Sequence, residues 1–503
     1  MDRVALLVLL FQGALVAASP DYGIPNSVIG TGKLVTGVND ASTYLQTLAA
    51  GQLVSASITQ DVFGLPRIVQ ILQETGNTVS QDGDNIVRAF ETLIQSSSGD
   101  PTVLFDAALK SIQDALNHIT QLLPTTESNL SAIIGGNVPD RLTDSFARIE
   151  IALRTLLTQI GTLKSSVLAA IAEAGSPTSI SMEILTKHIT LSKVYNVLQT
   201  VRNLRAFLPV VRYTLNTSIE EAVEADNYLK AYNSMLASLD GVVTIVLQSL
   251  DAAEQSFYAT VKSGVNTLGA AYAGMKESTL ALGIITEAPD LGAEVVSMLS
   301  KFTVTLEDTE NDILSVASEL QSYLTAVKAM VTITETEVIS ITESKLIGAL
   351  IKTLISSGPY ARFCFNKYRA QVSDLANYLL DESALCIERE VPRLTNLAAA
   401  VQTILDVNAF DFEDIYDWLT ICDGIQEPAD RVACVARISQ SYTALGDNFA
   451  DKYNLLFDLT TVEVDSSKQR VKICISLTRR WLADGYIPNL QNDIEQCALT
   501  GPN

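Results

Sequence analysis

One stretch constrains this chain more than any other: the apolar register between Leu142 and Ile171. Leu142, Phe146, Ile149, Leu153, Leu156, Ile160, Leu163, Val167 and Ala170 follow one another in alternating steps of four and three. That spacing puts a narrow apolar seam on one face of a long helix, the pattern that packs against a partner helix. About 30 residues at about 1.5 Å each make a rod of about 45 Å. Asn137, Pro139 and Asp140 stand where such a helix should start, and Gly175 and Pro177 where it should stop.

The same spacing recurs elsewhere. Phe105, Leu109, Ile112, Leu116, Ile119 and Leu123 follow the Asp100-Pro101 start, with Pro124 expected as the stop. A helix carrying Val194, Leu198 and Val201 is expected to end at Pro209, and a fresh seam runs from Tyr232 to Phe257. Glycines at 264, 269, 274 and 283 weaken the helix after it or permit close helix contact. A further seam spans Phe302 to Met330. Shorter helices are expected near Asp40–Ala49, Leu65–Glu74 and Asp82–Gln95, the last capped by the DGDN cluster at 82–85. Residues 19–38 read as an extended, Gly- and Pro-containing arm.

The N-terminus reads as a secretory signal. Arg3 precedes an apolar run from Val4 to Leu10, and cleavage is expected after Ala18. The run is too short to cross a bilayer, and no later stretch reads as a membrane span. The 503-residue chain has a formal net charge of −23, which disfavours nucleic acid and anionic membrane surfaces. Hydrophobic content of 48% against 18% charged residues argues for a folded chain. Aromatic residues make up only 6%, so aliphatic side chains must carry the core.

All six cysteines lie late in the chain, at Cys364, Cys386, Cys422, Cys434, Cys474 and Cys497. An even, clustered set in a secreted chain means disulfides. Residues 363–386 read as one helix, which would hold Cys364 and Cys386 about 33 Å apart. A disulfide needs Cα atoms within about 7 Å, so these two should not bond to each other. Trp418 and Trp481 are expected as core anchors of this segment. Asn129 and Asn216 begin glycosylation sequons.

The cysteine segment resembles a family of insect secreted proteins named after the tsetse-fly midgut EP protein. The matching features are the FCFNKY start around Cys364, Cys386 some twenty residues on, a long helical interval, and then Cys422, Cys434 and Cys474. The resemblance covers 359–503 at most. The chain lacks the Glu-Pro repeat tail of the name-giving protein and ends CALTGPN. The resemblance implies an insect extracellular fluid or gut lumen and supplies no catalytic residues.

Catalytic motifs fail throughout. The GTGKLVTG stretch lacks the Ser or Thr that follows a phosphate-loop lysine, and GxSxG and HExxH are absent. His118 and His188 are the only histidines. His118 reads as a partly exposed helix residue. The DGDN cluster does not continue as a calcium loop, and Asp411, Glu413, Asp414 and Asp417 read as an acidic surface.

The expected architecture is therefore all-α: long antiparallel amphipathic helices in an elongated bundle, plus a disulfide-stapled helical C-terminal domain. The segments are a signal peptide at 1–18, a helical region at 19–135, a long-helix bundle at 136–358 and a six-cysteine domain at 359–503. The expected function is a secreted, non-enzymatic binding or structural protein without metal or cofactor. Its helical seams would engage a protein partner or a second copy of the chain. The alternative is a carrier of lipid or another apolar ligand. A narrow seam spent between helices favours the first, and a cavity of several hundred Å³ favours the second.

Overall fold

The computed structural model describes residues 21–334 and 340–501. The signal-peptide reading at 1–18 lies outside them. The protein is all-α: among the described residues every regular element is a helix, the long ones form bundles, and three disulfides tie the C-terminal region.

The chain divides into two compact units that are not consecutive stretches. The first comprises residues up to Ala231, Lys345–Ala370 and the segment from Gln491. The second comprises Tyr232–Ser344 and Gln371–Leu490. The boundaries read from the sequence at 135/136 and 358/359 therefore do not delimit compact units. The cause is local packing. In the first unit Arg362 pairs with Glu220 at 2.9 Å, Phe365 meets Tyr228 edge-on at 5.5 Å, and Cys364 bonds Cys497. The start and the end of the cysteine segment thus belong with earlier helices.

The first unit begins with α1 (Thr31–Gln46), α2 (Leu65–Gln95), α3 (Pro101–Ile134) and α4 (Asn137–Ala174). The arm expected at 19–38 is not free where it is described. Tyr22 is wholly buried and stacks on Phe105 at 5.7 Å, Asp21 accepts from Val28 N at 2.7 Å, and Gly30, at φ 101°, turns the chain into α1. Asp100 caps α3 by accepting from Thr102 N at 2.8 Å, with Pro101 in the first turn as expected. All nine seam residues of α4 are buried. Each of the eight larger ones, Ala170 aside, contributes about 1.5–3 kcal/mol relative to exposure. Gly175, at φ 77°, ends α4 by donating its N–H to Ile171 O.

Several expected breaks are absent. Pro124 lies inside α3, and Pro209 lies inside α6 (Leu191–Leu280), a helix of 90 residues whose residues fall in both units. An interior proline costs about 3 kcal/mol. Here apolar residues on both sides are buried: Leu116, Leu130 and Ile134 around Pro124, and Leu208, Val211 and Leu215 around Pro209. That burial outweighs the lost hydrogen bond. α2 is likewise one helix of 31 residues where two were expected, so the DGDN cluster caps nothing. Gly76 and Gly83 are the reason α1 and its following turn can press on it. A Cβ at Gly83 would stand 2.4 Å from Leu45, and one at Gly76 would stand 2.6 Å from the Leu48 carbonyl. The unit is completed by α5 (Met182–His188), α10 (Lys345–Ile355) and the parts of α11 (Ala361–Glu388) and α14 (Ile487–Thr500) that fall in it.

The second unit contains α7 (Gly283–Glu287), α8 (Pro289–Glu307), α9 (Thr309–Thr334), α12 (Val391–Asp423) and α13 (Pro428–Arg480), with the remainder of α6, α11 and α14. The seam from Phe302 to Met330 is split at Asp308 between α8 and α9. Cys434 and Cys474 share α13, where two helices were expected. Gly264 on α6 permits a close approach, since a Cβ there would meet Gln402 at 2.5 Å and Leu405 at 2.7 Å. The core is an aromatic cluster: Phe302 lies 4.5 Å from Phe449 and 5.3 Å from Phe412 between ring centroids.

Neither tryptophan anchors this core. Trp418 is 59% exposed and Trp481 56%. On α12 the buried register is Ile415, Leu419 and Cys422, which turns Trp418 to the flank. Trp481 opens a π-helical turn, Trp481–Tyr486, and rests its ring against Tyr378 and Tyr486, both at 5.7 Å.

Candidate ligand cavity

The first unit carries a half-open, mainly apolar cavity of about 330 Å³. Five helices contribute to its wall: α1, α2, α3, α4 and α6. The contribution of α2 recurs every three or four residues, from Arg67 through Ile71, Thr75, Val79, Gly83 and Val87 to Phe90. These 23 steps of 1.5 Å make a slot about 35 Å long. Across from α2 lie Leu45 of α1, Ile119 of α3, Leu153 of α4 and Leu208 of α6. Along the slot the α2 face is apolar, and at Gly83 Leu45 sits over bare backbone.

Most polar groups on the wall have a hydrogen-bond or ion-pair partner. His118 Nδ1 of α3 meets Asp82 Oδ1 of α2 at 2.8 Å. Burial pushes the Asp82 carboxyl above its ordinary value, opposed by His118 and reinforced by the Asp114 charge. Arg205 pairs with Asp40 at 2.7 Å. Arg67 donates to Gln70 Oε1 at 3.0 Å, and Gln70 donates to Glu74 Oε1 at 2.8 Å. The Thr75 and Thr78 hydroxyls donate to the Ile71 and Glu74 carbonyls of their own helix. No serine or cysteine lines the slot; Ser111 lines a neighbouring hollow together with Asp82 and His118, and its hydroxyl donates to the Ala108 carbonyl at 2.8 Å.

His118 is half exposed, as its register suggested. His188 lies elsewhere in the unit, 2.6 Å from Glu173. Among the described residues no group of three or more His, Cys, Asp or Glu could hold a metal ion.

The cysteines form three bridges. Cys364–Cys497 has a Cα separation of 5.9 Å, Cys386–Cys474 of 5.8 Å and Cys422–Cys434 of 5.7 Å. Cys364 and Cys386 do share one helix, α11, and each bonds a different one. Cys364–Cys497 falls in the first unit, and the other two fall in the second. Three disulfides are compatible with an extracellular protein.

The two sequons differ in setting. Asn129 is exposed on the rim of the slot, with Ser131 also exposed. Asn216 is half-buried and its Oδ1 accepts from Val54 N at 3.2 Å, while Ser218 is buried.

Sequence reasoning found the seams that frame the slot but not the slot itself. The available signal was the pair of glycines in α2, Gly76 and Gly83, spaced so that both meet the same neighbouring segment. By length and composition alone, α4 and α6 are apolar enough to cross a membrane. The seam of α4 is buried inside its unit, but only 33% of its apolar window is buried, and 17% of that of α6.

Comparison with protein-family models, with curated proteins and with solved structures finds no match to this chain.

Proposed function

We propose that the chain is an extracellular, non-enzymatic binding protein that carries an apolar ligand in the slot of its first unit. The observation that carries this reading is the cavity of about 330 Å³ walled by aliphatic side chains of five helices. Its volume lies within the range of small-molecule sites. The seam that would recruit a partner helix, Leu142 to Ala170, is buried inside the chain, which favours a carrier over assembly through that seam. Secretion is supported by the three disulfides and the signal-like N-terminus. The tsetse-EP-type resemblance of 359–503 adds an insect gut lumen or body fluid as the setting.

The test is titration of the secreted full-length protein with a neutral fluorescent apolar dye, N-phenyl-1-naphthylamine. The expected result is saturable enhancement with one site per chain, abolished by Ile119→Trp, which fills the slot. Absence of saturable binding to the folded protein contradicts the reading.

A further inference from the structure

The slot's polar groups are unevenly placed: Asp82 with His118 and Arg205 with Asp40 are paired along its length, and an arginine without an ion pair stands at one end. α2 and α3 run antiparallel: Asp82 meets His118, and Ile133 packs over Gly64. The α2 start therefore lies beside the α3 end, and there the wall carries Arg67, Glu74, Thr125, Thr126 and Asn129. Toward the other end the wall is Val87, Phe90 and Ala115, joined by Leu156 and Val201.

Charge narrows the choice further. Arg205, one helical turn from Val201, is neutralised by Asp40. Arg67 makes no ion pair with a carboxylate among the described residues, and its hydrogen-bond partner is the neutral Gln70 amide. Glu74 lies two helical turns inward, with Oε1 accepting from Gln70 Nε2. A guanidinium with donors to spare, at the polar end of an apolar slot, matches a carboxylate by charge and by its forked donor geometry. About 330 Å³ drawn out along six turns of helix accommodates one extended hydrocarbon chain rather than a fused-ring body. The net charge of −23 opposes an anion at long range, but salt screens it beyond about 8 Å.

We propose that the slot binds a single long-chain carboxylate, its tail toward Phe90 and its head on Arg67. This rests on the carrier reading above and adds the head-group class and the orientation.

The experiment is calorimetric titration of the full-length protein with hexadecanoic acid and with hexadecan-1-ol, each below its aggregation limit. The acid is expected to bind about tenfold more tightly than the alcohol. Arg67→Gln should abolish that difference, and Arg88→Gln, which alters an exposed pair with Asp84 on the same helix, should leave it intact. Shortening the acid should weaken binding by roughly fourfold per methylene while the tail remains buried. Circular dichroism checks that each variant is folded, and Arg67→Lys, which keeps the charge, should retain part of the preference. Equal binding of acid and alcohol, or a preference that survives Arg67→Gln, overturns the carboxylate assignment and leaves the carrier reading standing. Failure of both ligands together with the neutral dye overturns the carrier reading itself.

Discussion

Arg470 holds Glu390 with two hydrogen bonds, Nη2 to Oε2 at 2.9 Å and Nε to Oε1 at 3.1 Å. Each residue stands four positions from a half-cystine, since Cys386 precedes Glu390 and Cys474 follows Arg470. Covalent and ionic ties therefore lie one helical turn apart between the same strands of chain. Ser467 also donates to Glu390 at 2.8 Å, and Arg393 contacts it.

Removing one member of this group leaves a buried charge short of partners. Arg470→Met should cost roughly 3 kcal/mol, at the lower end for a buried pair because Arg470 is partly exposed and Arg393 remains. Glu390→Gln with Arg470→Met should cost less than the single arginine change. Burial raises the Glu390 carboxyl, but Arg470, Ser467 and Arg393 more than offset it and hold it below its ordinary value. Its contribution to stability is thus complete above the unfolded-state carboxyl range and is lost as pH falls through the folded value. Urea denaturation of the wild type and of these two variants at neutral and acid pH measures both effects.

Glu254 acts with the opposite sign. It is buried, its Oε1 has no hydrogen-bond partner, and burial with the nearby Asp251 charge pushes its carboxyl up to about 8, against Lys328. Between the ordinary value of 4.5 and about 8 the folded state keeps a proton that the unfolded state releases. Stability should therefore fall as pH rises through that window and level off above it. Glu254→Gln should flatten this part of the profile and stabilise the protein near pH 8, on the order of 3 kcal/mol. Thermal melts from pH 5 to pH 9 supply the comparison.

How far these features can be read in advance depends on which force sets them. The seam of α4 was legible because each residue from Leu142 to Ala170 is buried in its own register. The separation of Cys364 from Cys386 followed from helix rise alone. The stops expected at Pro124 and Pro209 failed because a local penalty of about 3 kcal/mol is smaller than the burial of flanking residues, which depends on distant partners. Trp418 and Trp481 misled for a related reason: residue type favours burial, but helix register turns Trp418 to the flank. The slot was illegible because it belongs to five helices at once, and its sole local sign is the pairing of Gly76 and Gly83.

The Cys364–Cys497 bridge spans 133 residues of sequence. By loop-closure entropy, a ring of that size stabilises the fold by up to about 5 kcal/mol. Cys364→Ser with Cys497→Ser should therefore be the most damaging of the three paired replacements. Cys422–Cys434 spans only 12 residues and should matter least on this ground, at roughly 3 kcal/mol. Guanidinium denaturation of the three double variants ranks them.

The sequons should differ in occupancy. Asn129 is exposed at the slot rim and is expected to carry a glycan in secreted material. Asn216 holds the Val54 N–H, and a glycan on its amide would displace that segment. Peptide mapping after deglycosylation in heavy-oxygen water should label Asn129 and leave Asn216 unlabelled. Asn216→Ala should cost about 1 kcal/mol through the lost acceptor.

The most direct measurement of the carrier account is native mass spectrometry of the chain purified from a secreting host without added lipid. The account expects a ligand-bound species that loses its extra mass on activation in the gas phase and is absent from Ile119→Trp. The same bare mass for both proteins, under conditions that preserve a known lipid carrier with its ligand, would contradict it.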